Sequence, residues 1–336
     1  MDRKPLVIVV TPVYNTGRYL EEAIQSVLAQ TYDHWRYFIS NNHSTDETAE
    51  IAARYAVLDD RITVVSPTTF LPQGQHFNFA LGHVGDDADY CKILLADDMM
   101  MPGCLEAMVQ VAETDPEVVL VSSYRVIENS AANFGLPIDR TVFPGRVIGR
   151  LHLIGGVYPI GTPSSVMYRG SVVRQRNPTF FPVDRYYFDT DVAFRIMRDA
   201  KFGFVHQVLT FSRYQPDSIT HREATLYSGE LDGLICVSSY GQDYLDADEY
   251  RRAITRARRS YFEKLGREWL LDRVRGRRDD FWEYHRVRLA TAGLTIERAD
   301  VLKGAVRAVG RAVGSPGEVV ARVRGRRKVA GDTRTQ

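Results

Sequence analysis

Long apolar runs are missing from this 336-residue chain. None approaches the roughly 20 consecutive residues that a membrane-crossing helix needs. Near the N-terminus only residues 6–10, LVIVV, run uninterrupted before Thr11 and Pro12. That stretch is too short for the core of a secretory signal, so a cytoplasmic protein is expected. Cysteine is scarce as well. Cys91, Cys104 and Cys236 show neither paired nor metal-type spacing, which excludes a disulfide framework or zinc module. Cys91 and Cys104 are expected to pack as small apolar residues in a reducing compartment. No internal repeat or long low-complexity segment is present. Net charge is almost absent, at +1.

That small total conceals a strong asymmetry. From Arg251 to the end there are 23 basic and 10 acidic residues, so the preceding 250 residues are acidic overall. A basic tail on an acidic body, with no base-reading motif, argues against nucleic acid. The shift marks a boundary, with one region expected at 1–220 and a basic, mainly helical region at 221–336. Within the first, 1–126 and 127–220 read as two halves. The second half is loop-rich and aromatic, suited to an acceptor-side face.

Apolar periodicity fills in the first region. Residues 6–10, 35–40, 61–65, 90–96, 118–126 and 202–211 read as strands. Between them, Leu20, Ala23, Ile24, Val27 and Leu28 mark one face of a helix, and helices are expected over 75–83, 102–113 and 189–200. Ser44 and Glu47 have capping-box spacing. Strands alternating with helices predict an α/β protein with a mostly parallel central sheet covered on both faces. Ligands of such sheets bind beyond the carboxyl ends of the strands. Three polar clusters fall there: 11–15, 41–46 and Asp97–Asp98.

The last cluster sits in KILLADDMMMP, residues 92–102. Two adjacent carboxylates at the end of an apolar strand repel each other and are costly to bury. A solvated turn is the simplest resolution and a bound cation is the other. Convergence of the three clusters favours the cation. Met99–Met101 reads as loop packing.

These pieces together resemble the family 2 glycosyltransferases, nucleotide-sugar-dependent enzymes of the Rossmann-like GT-A fold. The similarity runs over about residues 5–215, in VIVVTPVYNTGRYLEEAIQSVLAQTY, FISNNHSTDET, QGQHFNFAL, ILLADD, GTPSSVMYRGS and FDTDVAFRI. It implies transfer of a sugar from a nucleoside-diphosphate sugar to an acceptor hydroxyl with inversion, in polysaccharide or glycolipid synthesis of the cell envelope. The implied donor-binding set is Thr11, Pro12, Tyr14, Asn15, Asn42, Gln73, Asn78, Asp97 and Arg213. Asp98 is the implied ligand of a divalent cation, Mn²⁺ or Mg²⁺. Asp189, six residues before Arg195, matches the catalytic base, with Asp191 as second choice. The implied acceptor is a saccharide or a lipid-linked saccharide. Four positions depart from the family pattern: Asn41 and Asn42 replace two aspartates, Phe188 an acid, and Gln215 a histidine.

The chemistry suits these residues. A divalent cation offsets the charge that develops on a departing diphosphate. An acceptor hydroxyl needs a carboxylate base within reach, and a helix N-terminus would keep Asp189 ionised. Alternatives remain at this point. Asp189 could be only a helix cap, and the departures are compatible with a non-catalytic sugar-nucleotide-binding scaffold. A sugar-nucleotide pyrophosphorylase would want a glycine-rich phosphate loop after the first strand, which TPVYNTGRYL does not offer. His76, His206 and His221 read as structural or surface residues, and Trp269 and Trp282 as core.

In the tail, Leu302, Ala305, Val306, Val309 and Val313 line one helical face, with Lys303, Arg307 and Arg311 on another. Together with the cluster 322–328 this has two readings: a solvated helical face or helical cap packed on the catalytic domain, or contact with an anionic membrane at the cytoplasmic face, the last part being flexible or lipid-bound. Gly304, Gly310 and Gly314 suggest a helix that forms only on contact with a lipid or partner.

Overall fold

The computed structural model describes residues 3–155, 157–183, 187–213, 223–276 and 278–314. Gln215, His221, the Val313 side chain and the cluster 322–328 lie outside the described residues. Two compact units are present: Met1–Ser218 with Tyr240–Asp246, and Ile219–Ser239 with Ala247–Gln336.

The first unit holds a ten-stranded sheet. Its strands are β1 (Val7–Val13), β2 (Trp35–Asn41), β3 (Ile62–Val65), β4 (Tyr90–Ile93), β5 (Met99–Met100), β6 (Val118–Ile127), β7 (Ser130–Ala132), β8 (Val142–Pro144), β9 (Met167–Arg169) and β10 (Lys201–Ser212). They are ordered β3-β2-β1-β4-β9-β6-β10-β5, with β7 on β6 and β8 on β10. Strands β3, β2, β1 and β4 pair in parallel, as do β6 and β10, while β9 runs antiparallel between β4 and β6. The helices are α1 (Gly17–Leu28), α2 (Thr48–Leu58), α3 (Gln73–Leu81), α4 (Cys104–Glu113), α5 (Gly145–Leu153), α6 (Gly170–Arg176) and α7 (Phe188–Met197).

Side-chain alternation along β1 builds a core on each face of the sheet. Ile8 and Val10 join one cluster with Phe77, Ile93, Phe181 and Phe188, and Val7, Val9 and Val13 join the other with Leu20, Ile24, Tyr37 and Met108. Of the expected α1 face, Leu20, Ala23, Ile24 and Val27 are fully buried there and Leu28 is half-buried. Cys91, Cys104 and Cys236 are buried free thiols.

Local details differ from the sequence reading. β1 runs on to Val13 through Pro12, where a loop was expected. Its pairing with β4 stops at Val10, so Pro12 lies beyond the stretch where both sides of β1 are paired. β4 ends at Ile93 rather than Ala96. Leu94 N–H still bonds Val10 O at 3.0 Å, and then Asp98 N–H closes a turn on Leu95 O at 3.1 Å. Met99 and Met100 form a short strand against β10 instead of a loop. The Ser44–Glu47 capping box does not form. Asp46 takes the role, accepting from Thr48 N–H at 3.1 Å and from Gly17 N–H at 3.0 Å.

Residues 240–246 complete the first unit. Tyr244 donates to Phe194 O. A Cβ on Gly149 would meet the Tyr244 ring at 2.3 Å, so only glycine permits this approach.

The second unit is helical, with Ala247–Arg275, Asp279–Ala290, Arg298–Gly314 and the first part of Ser228–Tyr244. Tyr227, Leu231, Tyr261, Phe262, Leu265, Phe281, Leu289 and Val301 form its core, and Trp269 and Trp282 pack against it. The helix Arg298–Gly314 is formed and packs on the helix Ala247–Arg275. A Cβ on Gly304 would meet Phe262 O at 1.8 Å, so this glycine permits close contact with the helix Ala247–Arg275. The expected single apolar face is divided: Ala305 is buried beside Val301, whereas Leu302, Val306 and Val309 are 49%, 73% and 50% exposed. Among the described residues, no helix is long and apolar enough to cross a membrane.

Candidate active site

The turn after β4 places Asp97 and Asp98 differently. Asp98 is only 4% exposed. Burial, and then the neighbouring Asp97 charge, push its carboxyl up to about 6. The Ser164 hydroxyl hydrogen-bonds it, and Arg213 N–H donates to its Oδ1 at 3.3 Å. Asp97 is half-buried. Desolvation raises its carboxyl as well, opposed by Arg213.

Arg213 is held at this turn from several sides. Its Nε donates to Asp97 O at 3.1 Å, its guanidinium pairs with Glu22, and it lies 5.0 Å from the Tyr19 ring centroid.

Asp189 lies in the first turn of α7, one residue inside a helix that starts at Phe188, so it is not the N-cap. The helix amides lower its carboxyl, as expected of a helix start, but they are not the largest influence. Desolvation outweighs the helix amides, and its carboxyl rises to about 6. Phe188, where the family carries an acid, packs against Phe181 and Phe77 with ring centroids 4.8 and 5.2 Å apart. That aromatic cluster anchors the start of α7 and explains an apolar residue there.

Asp191 faces other partners. It is 3% exposed, pairs with Arg195 Nε at 2.7 Å and accepts a hydrogen bond from Tyr240. Tyr240 stacks on Phe194 at 5.0 Å.

Arg125 on β6 connects the two raised carboxylates electrostatically. Its charge lowers both Asp98 and Asp189, and they act on it in return. Its Nη1 donates to Thr162 Oγ1 at 3.1 Å. Arg125, Ser164 and Tyr240 were not singled out from sequence. Ser164 lies within the GTPSSV stretch noted there, but no local signal marks the other two.

The remaining candidates divide by exposure. Tyr14 is 48% exposed and meets Phe70, itself 55% exposed, edge-on at 5.1 Å. Gln73 is exposed at the start of α3, and Pro12 is half-buried. Asn15 adopts a left-handed φ of 51°, and its Oδ1 accepts from Thr45 N–H at 2.8 Å. Thr11 is fully buried within β1, and its Oγ1 accepts from the Tyr37 hydroxyl at 2.8 Å.

Asn42 and Asn78 share one device. Asn42 bonds both polar groups of the Leu71 main chain at 2.8 and 2.9 Å, and Asn78 does the same to Phe181, both at 2.8 Å. Both side chains are at least 95% buried. They brace the loops before α3 and α7. His76 is buried between β2 and α3 against Ser40, and burial lowers its pKa to about 4. His206 bonds the Tyr124 hydroxyl and Arg140 O. Both are structural, as expected.

Among the described residues, no three His, Cys, Asp or Glu side chains gather into a metal cage. A Mg²⁺- or Mn²⁺-type ion does not need one, since it takes one or two carboxylates and completes its shell from substrate phosphates and water. Two adjacent desolvated carboxylates fit that requirement.

Known proteins resemble this chain in sequence and in fold. The sequence is 31% identical over 130 residues to glycosyltransferase GlyG of Streptococcus pneumoniae, covering 38% of this chain and 42% of GlyG. It is 25% identical over 226 residues to an uncharacterized glycosyltransferase of Rickettsia typhi, covering 65% and 66%. The matched stretch is thus less than half of the length of GlyG.

Among solved structures, Staphylococcus aureus TarS 1–349 in complex with UDP-GlcNAc aligns with TM-score 0.56 and 15% identity, over 86% of this chain and 80% of TarS. The mannosyltransferase PcManGT of Pyrobaculum calidifontis, in complex with GDP-Man and Mn²⁺, aligns with TM-score 0.54 and 16% identity, over 92% and 88%. These two likenesses show the GT-A fold. The sequence profile described as glycosyl transferase family 2 matches residues 8–176, half of the chain. The chain belongs to glycosyl transferase family 2.

Proposed function

We propose that this protein is an inverting glycosyltransferase that moves a sugar from a nucleoside-diphosphate sugar to an acceptor hydroxyl in cell-envelope saccharide or glycolipid synthesis. The observation that carries the reading is the adjacent pair Asp97 and Asp98 at the turn after β4, with Asp98 buried and Arg213 held against both, in a chain of this family. Tyr14 and Phe70 offer aromatic edges to a base, with Pro12, Asn15 and Gln73 beside them. Asn42, Asn78 and Thr11 act by holding that wall rather than by direct contact. Asp97 faces the donor, and Arg213 offers its guanidinium to the diphosphate.

Asp98, with Asp97, would hold a divalent cation, Mn²⁺ or Mg²⁺. Such an ion supplies charge neutralisation for a leaving diphosphate. Asp189 accepts the proton of the acceptor hydroxyl as that oxygen attacks. A pKa near 6 suits this work, because the carboxylate is ionised at neutral pH yet still basic. A single displacement on the face opposite the leaving group inverts the anomeric centre.

Thermal shift with a panel of UDP- and GDP-sugars, with and without Mn²⁺, tests the reading. A ligand that binds only the folded state raises its melting temperature. One sugar nucleotide is expected to stabilise the protein in a Mn²⁺-dependent way and to release nucleoside diphosphate. Binding without any release would support a non-catalytic binding protein instead.

The protein also docks on anionic membranes through the second unit. The supporting feature is the exposed stripe Leu302, Val306 and Val309, flanked by exposed Lys303, Arg307 and Arg311. A lipid-linked acceptor would be presented at such a surface.

A further inference from the structure

Lys92 on β4 is a fully buried lysine that the reaction above does not use. A lysine in the interior needs strong compensation. Here its ammonium donates to three main-chain carbonyls: Ser164 O, Val166 O at 3.3 Å and Ile93 O at 3.4 Å. Two of these lie in the short helical turn around Pro163–Ser165. A lysine carries three donors and no acceptor, so the three carbonyls use its whole capacity. Desolvation draws its pKa below the ordinary lysine value.

The turn is gripped elsewhere too. Ser122 Oγ donates to Ile160 O at 2.7 Å, and Arg125 bonds Thr162. Thr162 and Ser165 cap the turn reciprocally. Gly161 sits at φ +81°, and a Cβ there would meet Asn133 Nδ2 and Ser165 Oγ at 2.5 Å. This chain segment therefore has little freedom, and it carries one side chain into the aspartate turn. Ser164 Oγ accepts from Leu95 N–H at 3.0 Å, and Leu95 O in turn accepts from Asp98 N–H at 3.1 Å, so the hydroxyl grips the main chain where the aspartate turn begins.

We propose that Ser164 and Lys92 are positioning residues for the Asp97–Asp98 turn: Ser164 fixes the Leu95 main chain on which the turn closes and so sets where Asp98 stands, and Lys92 fixes the segment that carries Ser164. The proposal rests on the reading of that turn as the cation and donor site. It gives the GTPSSV stretch a task and explains a lysine among apolar residues, since no apolar side chain could satisfy both the Ser164 and Val166 carbonyls.

The test is a Mn²⁺ titration of the full chain in the presence of UDP or GDP, whichever binds the wild type. The readout is the Mn²⁺ concentration at half-maximal binding, followed by calorimetry. Loss of a residue that orients a metal ligand weakens metal affinity by about 10-fold or more. Ser164→Ala and Lys92→Met are each expected to raise the midpoint by about that factor, and the double variant by no more than the larger single effect. Ser164→Thr, which keeps the hydroxyl, is expected to stay near wild type. Melting in the absence of Mn²⁺ separates positioning from folding, because a purely structural role lowers the melting temperature and leaves the Mn²⁺ midpoint unmoved.

A wild-type midpoint for Ser164→Ala, or effects of the two variants that multiply, would overturn the proposal. Should Lys92→Met fail to fold, Ser164→Ala against Ser164→Thr decides the matter alone. A wild type that binds neither nucleotide with Mn²⁺ would remove the reading of the turn itself, and the proposal with it. Normal wild-type binding with an unaffected Ser164→Ala removes only the proposal.

Discussion

Asp189 and Asp191 lie two residues apart on α7 in opposite surroundings. Asp191 is buried but paired, with Arg195 at 2.7 Å on one oxygen and the Tyr240 hydroxyl on the other. Asp189 is half-buried, and desolvation prevails there over two helix amides and the Arg125 charge. Asp98 resembles Asp189, because burial raises its carboxyl to about 6 as well. The contrast teaches that a carboxylate's partners, more than its place in a motif, separate a residue that holds the fold from one that works on a ligand. Removing a paired carboxylate should cost stability, and removing a desolvated one should cost function.

The largest effect expected on the functional side is at Asp98. Asp98→Ala should abolish Mn²⁺-dependent binding of the sugar nucleotide while the protein stays folded, as read by calorimetry and circular dichroism. Unchanged Mn²⁺-dependent affinity would place the cation elsewhere.

Next in size is the pH response. A base must be ionised, so with the Asp189 carboxyl near 6 the transfer rate should fall about tenfold per unit as pH drops below that value, and level off above it. A flat profile down to pH 5 would mean that another group takes the proton.

Smaller again is Asp191→Asn. It breaks the pair with Arg195 and weakens the bond from Tyr240, so stability should fall by about 1–3 kcal/mol. Transfer should stay within about tenfold of wild type, since no base is lost. Thermal melting and a transfer assay on the same sample check both halves.

Much of this arrangement was legible in sequence, because strand and helix periodicity reports burial. The four parallel strands β1–β4, the α1 face and the location of the aspartates follow from it. What escaped depends on contacts that periodicity does not encode. The strand before Asp97 stops at Ile93 because the chain turns on Leu95, although Leu94, Leu95 and Ala96 continue the apolar run. Asn42 and Asn78 look like ligand contacts in a linear reading, which does not reveal that each also donates to and accepts from main chain 29 and 103 residues away. Ser164 is chosen by its bond to Leu95 and Tyr240 by its bond to Asp191, and neither contact has a local signature. The helix Arg298–Gly314 is a further case. Its glycines suggested weakness, whereas Gly304 is what lets the helix dock.

That helix supplies a second contrast and the smallest expected effect. Val301 and Ala305 face the core of the second unit, while Leu302, Val306 and Val309 face outward. Replacing the outward three with serine should lower co-sedimentation with anionic liposomes several-fold and leave melting nearly unchanged. Basic groups near such a surface each contribute about 1 kcal/mol, so binding should also weaken with added salt. Equal sedimentation of wild type and variant would remove the stripe as a membrane contact.

The central claim is that Asp189 is the base, and Asp189→Asn tests it most directly. The desolvated carboxylate adds stability only below its unfolded pKa, and that contribution is lost as pH rises through about 6. At pH 7.5 the neutral asparagine should therefore melt no lower than wild type. Donor affinity by calorimetry should be unchanged, and transfer should fall by about 10² to 10⁴. An active Asp189→Asn beside an inactive Asp191→Asn would contradict the account and move the base two residues along α7.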